Sequence, residues 1–599
     1  MTEQKTSSSS HLLSPLFQSA EAFLDLLLKQ SIKKNSVIVR RYCNGAWQQL
    51  SGKDFCAHLG RAVAYWMARL PPPCLENPKQ RQSLILLGRN TYHSFVALWG
   101  GILAGFDVMC APLQMTQEEI RWCLNYFKGV AIATEEEDIG MNLACFSVPI
   151  IKLSLFQGVP QDKHPEPPLL SLYREYKLAQ SSHLHTHHKI LPPHSPWRQT
   201  KPGRFAFVSC GHDGFQKPEI LKPDALVLTA QNFIFHAEFP KQIFWKSLEL
   251  LPQSSPFAHL SRYCALLKNG IIGFPKTDAD WETNLRILKP SYLFASSPET
   301  EQLCRFVNTV AKRSQHHLRF QLSEKIETVQ NFLATNQAMK IPENTFDFLK
   351  RTLRKASRMI AGQHFLKEAI EDLNFVVHGL APASETAVRM LEKLGLPVIE
   401  TYGTTHGAGM LSSNLFHATH HKTIGTPLPH VHFRLGTHST LEYRVTPRLF
   451  EHFGTWQETG DVAQMTPFGF LMTGRQKHLF VTLGGILVSP ARLEQLLKED
   501  NIISDACVIG DKMPYLSALI VLNHTALADY REHPEKIKEQ VQSIINCVNE
   551  TLPRNVTLKK FSILERPFTE LSGEKLSNGE INRIKIQETR SDFIAALYR

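Results

Sequence analysis

The chain of 599 residues predicts an α/β fold, with a large N-terminal domain of parallel sheets flanked by helices and a small C-terminal α+β domain. Two patterns and the length lead to this reading. The apolar run Leu84–Asn90 is followed by a helical stretch, HSFVALWGGILAGF, and then by a second apolar run, DVMCAPL. A strand–helix–strand unit of this size joins parallel strands and lays a helix over them. The alternation returns at AIATEEE, at SYLFASS, and at NFVVHG, ETAVRMLEKLG and PVIETYG. Finally, a chain this long exceeds what one hydrophobic core supports, so two or three domains are expected.

Taken in order, MTEQKTSSSSHLLSP has no apolar core of signal-peptide length and reads as a disordered leader over residues 1–15. Ser19–Lys29 is amphipathic, Val37–Tyr42 is a β-branched run, and NGAWQQLS carries a turn and then a strand. PPPCLENPKQRQ is a loop before the first parallel unit. Residues 175–203 form a His/Pro-rich linker, where His183, His185, His187, His188 and His194 lack the fixed spacing of a structural metal site. Residues 313–372 hold three helical segments. The last sets Phe346, Leu349, Leu353 and Ile360 beside Lys350, Arg351, Arg354, Lys355 and Arg358. Such a helix either docks by its apolar side or lies on an anionic membrane. From residue 476 the pattern becomes a smaller unit, with strands at ISDACVIG, LSALIVLN and FSILERPF and helices at Pro490–Lys498 and Glu535–Thr551.

The net charge of +11 and pI near 9.0 suit anionic partners such as nucleotides, CoA or an acidic membrane surface, although a merely solvated basic surface fits the same totals. Eleven cysteines, scattered singly with no CxxC pair, predict reduced thiols in a cytoplasmic protein. The longest apolar stretches contain glycine and fall short of the ~20 residues of a spanning helix.

Six short motifs hold the chemistry: SCGHDGFQK (Ser209–Lys217), ETYGTTHG (Glu400–Gly407), ETGD (Glu458–Asp461), MTGRQKH (Met472–His478), LGGILVSPARLE (Leu483–Glu494) and LSNGEINR (Leu576–Arg583). Read singly, the first is a glycine turn, Asp461 and Arg475 form a nucleotide-binding pair or a salt bridge, and Gly484 and Gly485 make a turn before a helix capped near Ser489–Pro490.

In this order and at these separations the motifs resemble the adenylate-forming superfamily, which activates carboxylates with ATP. The likeness runs from about Leu16 to the C-terminus. Fatty acyl-CoA synthetases are the subgroup it looks most like: LELLPQSSPFAH resembles their LPLSH segment, ILKPSYLFASSPE their RPTxxxxVP segment, and 313–372 their helical insertion. The resemblance implies a large AMP-binding domain over 16–475 and a mobile lid over 476–599, with His478 at the hinge. It implies that Gly211, Gly214 and Lys217 cradle phosphate, and that Thr405 faces it. Gly379 and Ala381, in VHGLAPASE, border adenine and the acyl pocket. Tyr402 and Gly403 stack on and line the adenine, Asp461 and Arg475 hold the ribose, and Gly484 and Gly485 line a CoA tunnel.

The departures gather on the phosphate. The hydroxyl positions of the first motif hold Cys210, His212 and Asp213, and the LTxxN element (Leu228, Thr229, Asn232) follows seven residues late. His406 replaces the glutamate assigned to Mg²⁺, and a neutral imidazole suits a hard, oxygen-preferring cation poorly. Glu580 replaces the lysine that would bind the carboxylate and the leaving phosphate oxygen, and Lys585 is no same-position substitute. Removing one transition-state donor costs about 3–4 kcal/mol, and reversing its sign should cost more. The expected function is therefore an acyl-CoA synthetase-like, AMP-binding protein with adenylation weak or lost. The alternative is an active long-chain fatty acid ligase, forming acyl-AMP and then acyl-CoA, with altered phosphate and metal handling. Expected ligands are ATP or AMP, an acyl chain and CoA, with Mg²⁺ disfavoured and no nucleic acid. A protein partner is expected if catalysis is absent. The expected location is cytoplasmic, with peripheral membrane contact as the alternative.

Overall fold

The computed structural model describes residues 36–43, 46–70, 81–111, 115–134, 146–153, 203–208, 210–211, 214–215, 218–276, 281–307, 309, 370, 372–382, 384–393, 395–416, 423–446, 448–466, 469–475, 480–481, 487–488, 490–500, 502–511, 513–550, 552, 557–575 and 581–599. The leader, the His/Pro-rich linker up to residue 202, the basic amphipathic stripe at Phe346–Ile360, the hinge at His478 and the CoA-loop glycines Gly484 and Gly485 lie outside these residues.

The first parallel unit forms as its apolar runs dictate. Ser83–Leu87 lies between Asp107–Ala111 and Gly129–Thr134, parallel to both. The six-stranded sheet runs Glu219–Leu221, Phe205–Phe207, Asp107–Ala111, Ser83–Leu87, Gly129–Thr134, Ile150–Lys152. Every residue of Ser83–Leu87 and Asp107–Ala111 is buried, as expected of strands covered on both faces. The connecting helix, Tyr92–Leu103, starts at a reciprocal Thr91–Ser94 cap, and all its residues are buried.

A second parallel set, Tyr292–Ala295, Phe375–His378 and Val398–Tyr402, continues into the antiparallel Ser412–Ser413 and Thr426–Pro427. Helices Pro223–His236 and Pro256–Leu267, which the sequence reading did not assign individually, pack on each other and are buried for most of their length. Leu228, Thr229 and Asn232 lie on the first of these. Thr229 Oγ1 bonds the Ala225 carbonyl and Asn232 meets the buried His430 ring, so both serve the core. Aromatic rings tie the layers: Phe95 to Trp99 at 4.3 Å, Trp99 to Tyr263 at 5.5 Å and Tyr292 to Phe375 at 5.6 Å between centroids. Inside this core Arg262 pairs with Glu249 at 3.0 Å, both side chains almost wholly buried.

Four antiparallel strands follow, Val431–Leu435, Thr440–Val445, Gln457–Thr466 and Gly469–Arg475. The C-terminal part is a mixed sheet of Ile503–Ile509, Leu516–Leu522 and Leu558–Leu564, with its own buried clusters against helices Pro490–Leu497, Pro534–Glu550 and Ser591–Tyr598. Among the described residues no helix is long and apolar enough to cross a membrane. Burial pushes the thiols of Cys56, Cys110, Cys304 and Cys507 up to about 12.

Candidate nucleotide site

The site is built where the strands of the second parallel set end, the edge at which open α/β sheets take ligands. Strand Val398–Tyr402 runs directly into a compact turn. There Gly407 N–H bonds Thr404 Oγ1 at 3.0 Å and Gly409 N–H bonds the Thr404 carbonyl at 2.9 Å. Gly403 is required by this turn, because a Cβ on it would lie 2.4 Å from the Gly409 carbonyl oxygen and 2.6 Å from Met410 Cα. The turn presents Thr404, Thr405 and His406 in sequence, each partly exposed.

The four-stranded antiparallel sheet supplies the next group. Asp461 and Arg475 are register partners on adjacent antiparallel strands. Arg475 Nε donates to Asp461 Oδ1 at 3.0 Å, and Tyr402 Oη donates to Asp461 Oδ2 at 2.6 Å. The Asp461 carboxylate is buried while Arg475 is half exposed. Burial, and then the Asp461 charge, push the Tyr402 hydroxyl well above its usual range, so it remains a donor.

The turn at residues 378–382 forms a third wall. His378 is buried and neutral, since burial lowers its pKa. Its ring bonds the Ala381 carbonyl through Nε2 and Thr300 Oγ1 through Nδ1, each at 2.8 Å. The carbonyl can only accept, so Nε2 carries the proton and Nδ1 accepts from Thr300. A Cβ on Gly379 would lie 2.7 Å from both Phe257 Cζ and Thr401 Oγ1. Gly379 and Ala381 therefore belong to a tightly seated turn beside Thr401 and Tyr402.

The side that carries the first motif differs. Cys210–Gly211 and Gly214–Phe215 form a short antiparallel pair, with Gly211 opposite Gly214. Lys217, His212 and Asp213 lie outside the described residues, as does Glu580. Glu219, just beyond the hairpin, accepts a 2.8 Å contact from His406 Nδ1. The His406 ring lies 3.9 Å, centroid to centroid, from that of His452. Burial and then the neighbouring His406 lower His452 to about 3, so it is neutral. Among the described residues neither ring's Nε2 has a hydrogen-bond partner. Sequence reasoning missed Glu219 and His452. Neither belongs to a motif, and only the fold brings their two elements to His406. Among the described residues no group of three or more His, Cys, Asp or Glu could hold a metal ion.

In the C-terminal part, Arg583 of the NGEINR segment forms an ion pair with Glu494, the last residue of the glycine-loop motif. Arg583 also donates to the Val508 carbonyl at 3.2 Å, and Glu494 accepts from Val508 N–H at 2.7 Å. The flanks of the segments carrying Glu580 and Gly484–Gly485 are thus clasped together.

A sequence model described as the AMP-binding enzyme C-terminal domain matches residues 478–599. The long-chain-fatty-acid–CoA ligase FadD15 of Mycobacterium tuberculosis is 27% identical over 248 residues, covering 37% of this chain and 41% of that protein. The long-chain-fatty-acid–CoA ligase ACSBG1 of Homo sapiens is 30% identical over 176 residues, 24% of each. The chain thus aligns with less than half the length of either relative. The adenylation domain of a carboxylate reductase from Mycobacterium chelonae superposes with a TM-score of 0.67 at 16% identity, covering 98% of this chain and 92% of that one. ATP-bound MatB from Rhodopseudomonas palustris gives 0.63 at 14%, covering 96% and 99%. At such identities the structural likeness is one of fold. The matched domain, the ligase relatives and this fold together support the adenylate-forming superfamily, close to fatty acyl-CoA synthetases.

Proposed function

We propose that this chain of the adenylate-forming superfamily is an acyl-CoA synthetase-like, AMP-binding protein that keeps the nucleoside half of its site and has weakened or lost the adenylation half. The observation that supports this most is the contrast between Asp461 and His406. Asp461 is a buried carboxylate oriented by Tyr402 and Arg475, the type of acceptor that suits a ribose diol. His406 is instead turned onto Glu219, and its imidazole lies tilted against a second, neutral imidazole, that of His452.

The roles follow from the chemistry of each group. Tyr402 and Gly403 line the base, Asp461 and Arg475 hold the sugar hydroxyls, and Gly379 and Ala381 shape the adjoining turn. Thr405, Gly211, Gly214 and Lys217 would meet the phosphate. A metal fits this corner poorly. Position 406 offers nitrogen rather than carboxylate oxygen, and that nitrogen's ring is already engaged by Glu219. No step is assigned to a metal. At position 580 a carboxylate would face the acid and the phosphate, raising rather than lowering the charge that must be neutralised. An acyl chain and CoA remain the expected further ligands, with Gly484 and Gly485 at the CoA side and His478 at the hinge between the large domain and the lid.

The test is acid-dependent pyrophosphate exchange by the purified full chain over a panel of fatty acids. Exchange at or below about a thousandth of an ordinary turnover of 1 s⁻¹ is expected. Exchange at ordinary synthetase rates would instead establish the second reading, an active long-chain fatty acid ligase in which Glu219 stands in for the missing carboxylate at 406.

A further inference from the structure

The approach to helix Pro256–Leu267 carries buried polar atoms that the protein itself leaves unsatisfied. Gln253 is 1% exposed, yet neither Nε2 nor Oε1 of its side-chain amide has a hydrogen-bond partner. His259, on the first turns of the helix, is fully buried, and its Nε2 bonds the Gln253 carbonyl at 2.7 Å. That carbonyl can only accept, so Nε2 carries the proton and Nδ1 is a bare acceptor, also without a partner. Ser255 stands at the N-cap but makes no capping bond, and its Oγ is buried and unpaired. Each buried polar group left unpaired costs stability, and folded proteins keep few of them. The LPLSH pattern that LELLPQSSPFAH resembles has leucine where Gln253 stands, so the amide is a departure made inside the protein. A polar group buried at such a cost, with nothing in the chain to pair it, points to a ligand.

The start of this helix abuts both turns of the candidate site. A Cβ on Gly409 would lie 2.7 Å from Phe257 N and 2.9 Å from the Pro256 carbonyl carbon, and one on Gly379 would lie 2.7 Å from Phe257 Cζ. We propose that Gln253 is a specificity-determining residue for the acyl ligand, selecting an acid with a hydroxyl substituent near its carboxyl end over a plain alkyl acid. This rests on the acyl ligand expected above. A hydroxyl both donates and accepts, and so suits an amide that presents an acceptor, Oε1, beside a donor, Nε2. An alkyl chain satisfies neither atom. A site built to hydrogen-bond a substituent rejects the analogue lacking it, because the site's own polar groups then stay unpaired. The hydroxyl is placed near the carboxyl end because the two turns hold the nucleotide, and that end of the acid comes closest to it.

The experiment measures by calorimetry the binding of dodecanoic acid and of its α- and β-hydroxy forms to the full chain with AMP present. The parent, Q253M and Q253L are compared, with thermal melting alongside. The parent is expected to bind one of the hydroxy acids about tenfold or more tighter than dodecanoic acid. Q253M, close to glutamine in shape, should bring the two within about twofold and keep or raise Tm. Q253L should act in the same direction. If the parent binds all three acids equally, this inference fails while the acyl reading stands. If the parent binds AMP but none of the acids, the inference and the acyl reading fail together and the nucleoside reading survives. If the hydroxy preference persists in both variants, another residue reads the hydroxyl and the assignment to Gln253 is wrong. A fall in Tm for Q253M without ligand would also count against it, since the amide would then be serving the fold through internal water.

Discussion

Asp461 and His406 occupy neighbouring parts of one site with opposite consequences. Asp461 keeps charge available for a ligand, and hydrogen bonds to a charged acceptor contribute about 1.5–3 kcal/mol. Asp461→Asn should therefore weaken AMP binding by roughly ten- to hundredfold, measured by calorimetry. Tyr402→Phe, which leaves Arg475 on the carboxylate, should cost less. At the other corner, the Glu219–His406 contact changes what a repair requires. His406→Glu alone would set two carboxylates side by side, and like charges at that distance repel. The triple change Glu580→Lys, His406→Glu and Asp213→Thr should raise fatty acid-dependent AMP formation only modestly. Adding Glu219→Gln should raise it further, because residues acting as a unit are not additive. A triple variant already as fast as the quadruple would show that Glu219 is irrelevant there. Asp461 and Arg475 were legible because each sits in a compact local motif. The Glu219–His406–His452 contact was not, because three separate elements form it.

At the scale of elements, two turns set the site and both depend on glycine. Gly403→Ala would drive a Cβ into the backbone of Gly409 and Met410, where nothing flexible can yield. A loss of about 3 kcal/mol or more is expected, beyond the usual 1–3 kcal/mol of overpacking. Gly379→Ala meets the Phe257 ring and the Thr401 hydroxyl, which can shift slightly, so about 1–3 kcal/mol is expected. Denaturant unfolding of the two variants checks both the sizes and their order. The strands that lead into these turns were plain in the sequence, since both faces of a covered parallel strand are apolar and leave a continuous run. The observed bounds differ from the expected ones, with Leu84–Asn90 becoming Ser83–Leu87 and PVIETYG becoming Val398–Tyr402; past the first strand, Asn90 is buried and bonds the Leu251 carbonyl instead of extending the sheet.

For the molecule as a whole, stability should be sensitive to acid. Burial lowers His58 to about 4 and His430 to about 3, whereas in the unfolded chain each takes up a proton near 6.5. Below pH 6.5 the unfolded state therefore binds more protons, and stability falls as pH drops, by up to about 1.4 kcal/mol per pH unit for each histidine. Chemical denaturation at pH 7.5 and 5.5 should show that loss, and equal midpoints would contradict it. The large α/β core was readable from length and alternation, while its buried Arg262–Glu249 pair was not, since nothing local marks either residue. How the site operates rests on one claim: the nucleoside half works without the phosphate half. Calorimetry of the full chain with AMP and with ATP plus Mg²⁺ tests it most directly. The account predicts affinities within a few-fold of each other; Mg²⁺-dependent ATP binding at least tenfold tighter than AMP would contradict it.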